Sequence, residues 1–307
     1  MEVNQTVLRI IKNVETVIRG KRDVIEIALT PLLSGGHLIF QDVPGVGKST
    51  LSEAIARSID ATFSRIQFTS DLLPADIIGI TIFNKVTNQF EFKKGPIFAN
   101  IVLADEINRA SPKTQSSLLE AMNEGTVTVD GVTYDLPAPF MVIATENPLE
   151  FAGTYPLPES ELDRFMISLN MGYPPKHIEK EVIKEKSLHN DVKKLESVAT
   201  IEEIEMLKKE AAKVYVEDSI IDYIMSIIQK TRESDLIEIG VSTRGGIDFL
   251  KAVKSYAFIK GRDFVIPDDV KSIAPFALSH RIVTKSDDKK FAKEIILQTL
   301  KEVPVPI

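Results

Sequence analysis

A lysine and two hydroxyl side chains follow two closely spaced glycines in Asp42-Val43-Pro44-Gly45-Val46-Gly47-Lys48-Ser49-Thr50. The apolar run His37-Leu38-Ile39-Phe40 precedes them, and the helical pattern Leu51-Ser52-Glu53-Ala54-Ile55-Ala56 follows. Strand, glycine-containing loop, Gly-Lys-Ser and helix is the context a phosphate-binding loop requires. Backbone N–H groups of such a loop and of the helix start converge on one spot, with partial positive charge, and suit the phosphates of a nucleotide. Pro44, Gly45, Val46, Gly47, Lys48, Ser49 and Thr50 are the expected binding set. Lys48 would neutralise the β- and γ-phosphates, and the Ser49 hydroxyl would ligate Mg²⁺. Asp42 stands where the general motif has its first glycine. The anion nest is built mainly by residues 44 to 49, so that departure is tolerable. A plain surface loop is the competing reading, and the flanking strand and helix weigh against it.

Hydrolysis needs acids as well. Ile101-Val102-Leu103-Ala104-Asp105-Glu106 is an apolar run ending in two carboxylates, 57 residues after Lys48. A buried parallel strand delivers such groups at its C-terminal edge. Asp105 would hold Mg²⁺, directly or through water, and Glu106 would polarise the attacking water. A third apolar run, Phe140-Met141-Val142-Ile143-Ala144-Thr145, leads into Glu146-Asn147-Pro148. Asn147 either reaches the γ-phosphate or attacking water, or starts the turn before Pro148. Arg164, in Glu161-Leu162-Asp163-Arg164-Phe165, is either half of a surface ion pair worth little or an arginine that stabilises transition-state charge in a neighbouring subunit.

Together these stretches resemble the AAA+ ATPases, and within them the MoxR family. The resemblance rests on DVPGVGKST, on VLADEINRASPKTQSSLLEAMNEG, on ATENPLEFAGTYPLPESELDRF and on GVSTRGGIDFL, and it runs from about Ile18 to about Ile282. It implies an αβα parallel-sheet P-loop NTPase with hairpin inserts, followed by a small all-α lid. By position it implies Lys48 and Ser49 in Walker A, Asp105 and Glu106 in Walker B, Asn147 as sensor 1, Arg164 as arginine finger and Arg244 as sensor 2. In the family the segment Arg19-Gly20-Lys21 lies near the adenine, which makes Gly20 and Ile18 candidate base contacts; core packing is the plainer role for Ile18. The implied cofactors are ATP and Mg²⁺. The implied assembly is a homo-oligomeric ring, a hexamer, acting as a chaperone-like remodeller on a client protein complex, often with a von Willebrand factor A protein as partner.

Composition narrows the alternatives. The chain has 307 residues, 44% hydrophobic and 26% charged, enough for one large or two medium domains. No run approaches the roughly 20 apolar residues of a membrane span, and the first residues lack the pattern of a signal peptide. With no cysteine there are no disulfides or thiolate metal sites, which fits a cytoplasmic protein. His37, His177, His189 and His280 are scattered, so surface or core roles suit them better than metal ligation. A net charge of −7 and the absence of tryptophan argue against nonspecific duplex binding and base stacking.

The elements that must position these residues can be sketched. Residues 3 to 19 read as an amphipathic helix on Val7, Ile10, Ile11, Val14 and Ile18, stopped by Gly20. Arg22 to Leu33 reads as a second helix. Phe63 to Phe68 reads as a strand. Ile80 to Phe83 with Gln89 to Phe92 predict a hairpin that corresponds to the helix-2 insert of the resembled clade. Thr126 to Val129 with Val132 to Leu136 predict a second hairpin around Asp130-Gly131. Such hairpins are either substrate grips or decoration. Gly172-Tyr173-Pro174-Pro175 predicts the joint between a nucleotide-binding domain, 1–173, and a helical lid, 174–307. Ile201 to Val214, Asp218 to Arg232, Thr243 to Ile259 and Pro267 to Leu278 predict four lid helices. Arg244 opens the third, where it either faces phosphate or caps and pairs at the surface. Asp287-Asp288-Lys289-Lys290 reads as a solvated helix start. Three rivals to the ATPase remodeller are a nucleic-acid motor like the MCM helicases, a magnesium-chelatase-like subunit, and a nucleotide-gated scaffold. DNA-stimulated turnover would favour the first, and absent turnover the last.

Overall fold

The computed structural model describes residues 2–147, 153–185, 192–286 and 289–306. Pro148, His189, Asp287 and Asp288, named above, lie outside them.

The chain opens with α1 (Glu2–Glu15) and α2 (Arg22–Ser34). Val7, Ile10, Ile11 and Val14 are all buried, as their spacing predicts. α1 stops at Glu15 rather than running to residue 19. The next residues, Thr16-Val17-Ile18, are all β-branched and lose side-chain freedom in a helix. The Thr16 hydroxyl also donates to the carbonyl of Asn13 at 2.6 Å.

A five-stranded parallel sheet follows, in spatial order β2 (Phe63–Gln67), β5 (Ile101–Asp105), β8 (Met141–Glu146), β1 (Leu38–Gln41), β9 (Ile167–Leu169). Its inner strands alternate between two cores. Leu38, Phe40, Ile101, Leu103, Met141 and Ile143 pack on one face; Ile39, Val102, Ala104, Val142 and Ala144 pack on the other. Being covered on both sides, these strands read as unbroken apolar runs. Because they are parallel, their C-terminal ends share one edge. α3 (Lys48–Ser58) follows β1 and packs Leu51, Ala54 and Ile55 into the first core, while α5 (Pro112–Glu124) packs Leu118, Leu119 and Met122 into the second.

Both predicted hairpins form. After the short α4 (Pro74–Ile78), β3 (Gly79–Asn84) pairs antiparallel with β4 (Gln89–Lys94) and leaves Phe83, Val86 and Phe90 exposed. β6 (Thr126–Val129) pairs with β7 (Val132–Asp135) through Asp130 and Gly131, both at positive φ, as a tight two-residue turn of this twist requires. The hairpins touch: Phe92 of β4 stacks on Tyr134 of β7, ring centroids 4.3 Å apart.

The short α6 (Glu159–Leu162) precedes β9, and after Pro174-Pro175 come α7 (Lys176–Glu185), α8 (Ile201–Ala212), α9 (Asp218–Glu233), α10 (Thr243–Ile259), α11 (Pro267–Leu278) and α12 (Lys289–Glu302). α12 begins at Lys289, within the run read as a solvated helix start, and α7 is additional to the predicted helices. So is a small antiparallel pair, β10 (Ile237–Ile239) with β11 (Val283–Thr284), too short for sequence alternation to reveal. α8 is set by a capping box: Glu203 N–H donates to the Thr200 hydroxyl at 3.3 Å, and Thr200 N–H to the Glu203 carboxylate at 2.8 Å. α2 packs against α8 and α10, so the lid core is continuous with one core of the sheet.

His37 gives this fold a defined acid response. Its ring is fully buried; Nδ1 accepts from Val142 N–H at 3.0 Å, so Nε2 must carry the proton and donate to the Met122 carbonyl at 3.0 Å. Burial pushes the imidazole down from 6.5 to about 4. The unfolded chain therefore takes up a proton that the native chain refuses. Stability should be flat above pH 6.5 and fall by about 1.4 kcal/mol per unit, per such proton, towards pH 4. His280, pushed down to about 3 by burial and by Arg281, adds to the slope. Thermal unfolding between pH 7 and pH 5 should show the drop, and His37→Gln, which cannot titrate, should make it shallower, leaving the part due to His280. An unchanged slope would refute the role given to His37.

Candidate active site

The shared strand edge carries one cavity of about 640 Å³. All seven residues from Pro44 to Thr50 line it, together with Asp105, Glu106, Thr145 and Asn147. The loop after β1 is bent by Gly45 and Gly47, at φ 84° and 96°. A side chain at either would strain the backbone, and Gly47 is also the residue from which α3 starts. Lys48 is half-buried, and its ammonium donates to the carbonyls of Asp42 at 2.8 Å and Val43 at 3.0 Å. Burial lowers its pKa, while Asp42, Asp105 and Glu106 pull it back up. The ammonium thus stands inside the loop, bound to groups that anionic oxygens can replace.

Asp42 is more than a tolerable departure from glycine. Its buried carboxylate accepts from Val43 N–H at 2.8 Å and from Gly172 N–H at 2.7 Å, tying the loop entry to the expected joint at Gly172-Tyr173-Pro174-Pro175. Lys21 holds the same joint, donating to the carbonyls of Met171 at 2.6 Å and Tyr173 at 2.7 Å.

The two acids at the end of β5 are each held from β2. Arg65 pairs with Asp105 at 2.6 Å, and Gln67 donates to Glu106 at 2.9 Å. Arg109 pairs with Glu106 at 3.1 Å. Thr145, at the end of β8, donates its hydroxyl to Asp105 at 2.7 Å and accepts Glu106 N–H at 2.8 Å. Glu106 sits at φ 57°, an uncommon backbone state for a non-glycine residue and one that clusters at active sites. Lys21, Asp42, Arg65, Gln67 and Thr145 were not found from the sequence. Arg65-Ile66-Gln67 does alternate polar and apolar at a strand end, but only the pairing of β2 with β5 shows what the polar pair reaches.

Three predicted residues lie elsewhere. Gly20, at φ 70°, is not among the cavity residues, although Ile18, Arg19 and Lys21 are. A side chain on it would meet Ile178 and Pro175. Arg164 is half-buried and donates to the Leu119 carbonyl of α5 at 2.8 Å. Arg244 donates to the Asn123 side chain, also on α5, at 2.7 Å. Neither lines the cavity of its own chain.

The residues present fit a magnesium nucleotide. The glycine-bent loop leaves open space where a side chain at Gly45 would stand. The Ser49 hydroxyl and Asp105 carboxylate are the hard oxygen donors Mg²⁺ prefers, and both face the cavity beside Lys48.

Comparisons agree with this geometry. A family model described as the ATPase family associated with various cellular activities matches residues 37–167, and one described as an AAA lid domain matches residues 229–299. The chain is 48% identical to the uncharacterized protein YeaC of Bacillus subtilis, over 97% of this chain and 94% of that protein. It is 38% identical to the chaperone MoxR1 of Mycobacterium tuberculosis, over 98% of this chain and 82% of that protein. A crystal structure of a candidate ATPase from Cytophaga hutchinsonii is similar with a TM-score of 0.91 at 36% identity, over 100% of this chain and 96% of that one.

Proposed function

The chain belongs to the MoxR family of AAA+ ATPases, and from that premise we propose that it hydrolyses ATP in a Mg²⁺-dependent reaction, as a homo-oligomeric and expectedly hexameric ring. The supporting observation is that Lys48, Asp105, Glu106 and Asn147 meet in one cavity at the C-terminal ends of three parallel strands. Lys48 exchanges the Asp42 and Val43 carbonyls for phosphate oxygens. Ser49 and Asp105 would hold Mg²⁺, which would supply charge neutralisation at the phosphates. Asp105 must then share or release Arg65. Glu106, released from Gln67, takes a proton from the attacking water, and Asn147 orients that water. The chaperone name of the similar mycobacterial protein supports a remodelling role; a von Willebrand factor A partner rests on the family resemblance. No helix among the described residues is long and apolar enough to cross a membrane. Phosphate release from ATP by the purified chain, with and without Mg²⁺, tests the activity. No release from assembled protein would leave a nucleotide-gated scaffold.

The positions of Arg164 and Arg244 support action across a subunit boundary. Both guanidinium groups are held against α5 by its Leu119 carbonyl and Asn123 side chain, away from their own cavity, so the phosphates they serve belong to an adjoining copy. Arg164→Ala should bind ATP almost normally yet lose turnover by about a thousandfold, since the guanidinium stabilises charge only in the transition state. Mixing Arg164→Ala subunits with Lys48→Ala subunits should restore activity that neither parent has. Mixed rings that form but stay inactive would refute action in trans.

A further inference from the structure

Arg164 and Arg244 come from distant parts of the chain, yet their anchors on α5, Leu119 and Asn123, are one helical turn apart, about 6 Å along the axis. Between the two segments lies Arg281, whose side chain is wholly buried. One terminal nitrogen, Nη1, donates to the Gly245 carbonyl at 2.9 Å. The other, Nη2, donates to the carbonyls of Phe165 at 2.9 Å and Asp163 at 3.1 Å, and to the Asp248 carboxylate at 3.2 Å. Nε stands 3.3 Å from the Asp163 carboxylate, at ion-pair distance but not aligned as a hydrogen bond. Asp163 and Phe165 flank Arg164. Gly245 and Asp248 belong to the first turns of α10, where Arg244 sits. Ser242 adds a second tie: its hydroxyl accepts Gly245 N–H at 2.9 Å and donates to Asp163 at 3.3 Å.

A buried cation is a poor way to gain stability, because a well-packed apolar residue often does as well. What only a guanidinium offers is a rigid fork that holds several oxygens in fixed directions. Here the fork spans both arginine-bearing segments. We propose that Arg281 is a positioning residue, which joins the segment carrying Arg164 to the helix start carrying Arg244 so that both guanidinium groups meet the adjoining subunit's nucleotide as one block. This rests on the reading that the two arginines act in trans.

Arg281→Lys keeps the charge and the stem but loses the fork. The folded variant, checked by thermal unfolding and by ring assembly, should bind a fluorescent ATP analogue in its own loop with unchanged affinity. Its kcat should fall by about ten- to a hundredfold with little change in KM, the loss expected from a small misplacement of a charged group. Combining it with the double variant Arg164→Ala/Arg244→Ala should cost little beyond that double variant alone, because Arg281 acts through those two residues. Mixed with Lys48→Ala subunits, it should recover turnover. Wild-type kcat in Arg281→Lys, while Arg164→Ala is inactive, would overturn the proposal and leave the finger standing. So would a loss that adds fully to that of the Arg164→Ala/Arg244→Ala double variant. Normal turnover in Arg164→Ala would instead remove the finger reading itself. Should Arg281→Lys fail to fold, Ser242→Ala loosens the same bridge from its other side. It should lower kcat by a few-fold with unchanged nucleotide affinity, and wild-type kcat there would overturn the proposal.

Discussion

Lys48→Ala should weaken nucleotide binding by about a hundredfold. The direct loss is that of charge-assisted hydrogen bonds to phosphate, each worth roughly 1.5–3 kcal/mol. The surroundings enlarge it. Asp42, Asp105 and Glu106 all act on the Lys48 ammonium, and without that ammonium their negative field opposes an incoming polyphosphate. The carbonyls of Asp42 and Val43 also lose their donor. Titration with a fluorescent nucleotide measures the affinity directly. The nucleotide-induced rise in Tm should vanish at the same concentrations, since ligand stabilisation follows occupancy. Wild-type affinity in the alanine variant would take this loop out of the site.

Glu106→Gln should do the opposite: bind ATP and Mg²⁺ and hardly turn them over. A positioned general base contributes about 10²- to 10⁴-fold, so kcat should fall by about a thousandfold. The amide matches the carboxylate in shape and can still meet Gln67, although its attraction to Arg109 is lost. Single-turnover assays should find ATP bound and intact. Near-normal turnover would assign the base to another residue. Asp105→Asn should differ in kind, weakening the Mg²⁺-dependent part of nucleotide affinity, because the carboxylate held by Thr145 and Arg65 is the one proposed to meet the metal.

The contrast between what the sequence disclosed and what it hid is physical. Pro44 to Thr50 and Asp105-Glu106 could be read because each is a short local run whose chemistry depends on neighbours along the chain. β1, β5 and β8 could be read because double burial makes them almost wholly apolar, whereas the three-residue β9, Ile167–Leu169, is too short to announce itself and was not read. The pairs Arg65–Asp105 and Gln67–Glu106 could not, since they depend on the register of β2 against β5, and nothing local to either strand states it. The partners of Arg281 lie in residues 163–165 and 245–248, and a lone arginine in a 3-10 turn gives no sign of being buried. The surroundings of Gly20 were hidden for a similar reason: its neighbours Pro175 and Ile178 come from a distant part of the chain. Arg244 was placed on the right helix, but only packing shows that α5, not the phosphate loop, lies beside it.

The left-handed backbone at Glu106 sets two kinds of selection against each other. An L-residue other than glycine held there gives up about 1 kcal/mol of folding free energy, and the chain accepts this at the residue proposed to activate water. A library at position 106 screened only for heat resistance should therefore enrich glycine and asparagine, and its most robust members should be inert. Position 106 is one where improving the scaffold and improving the catalyst are incompatible aims.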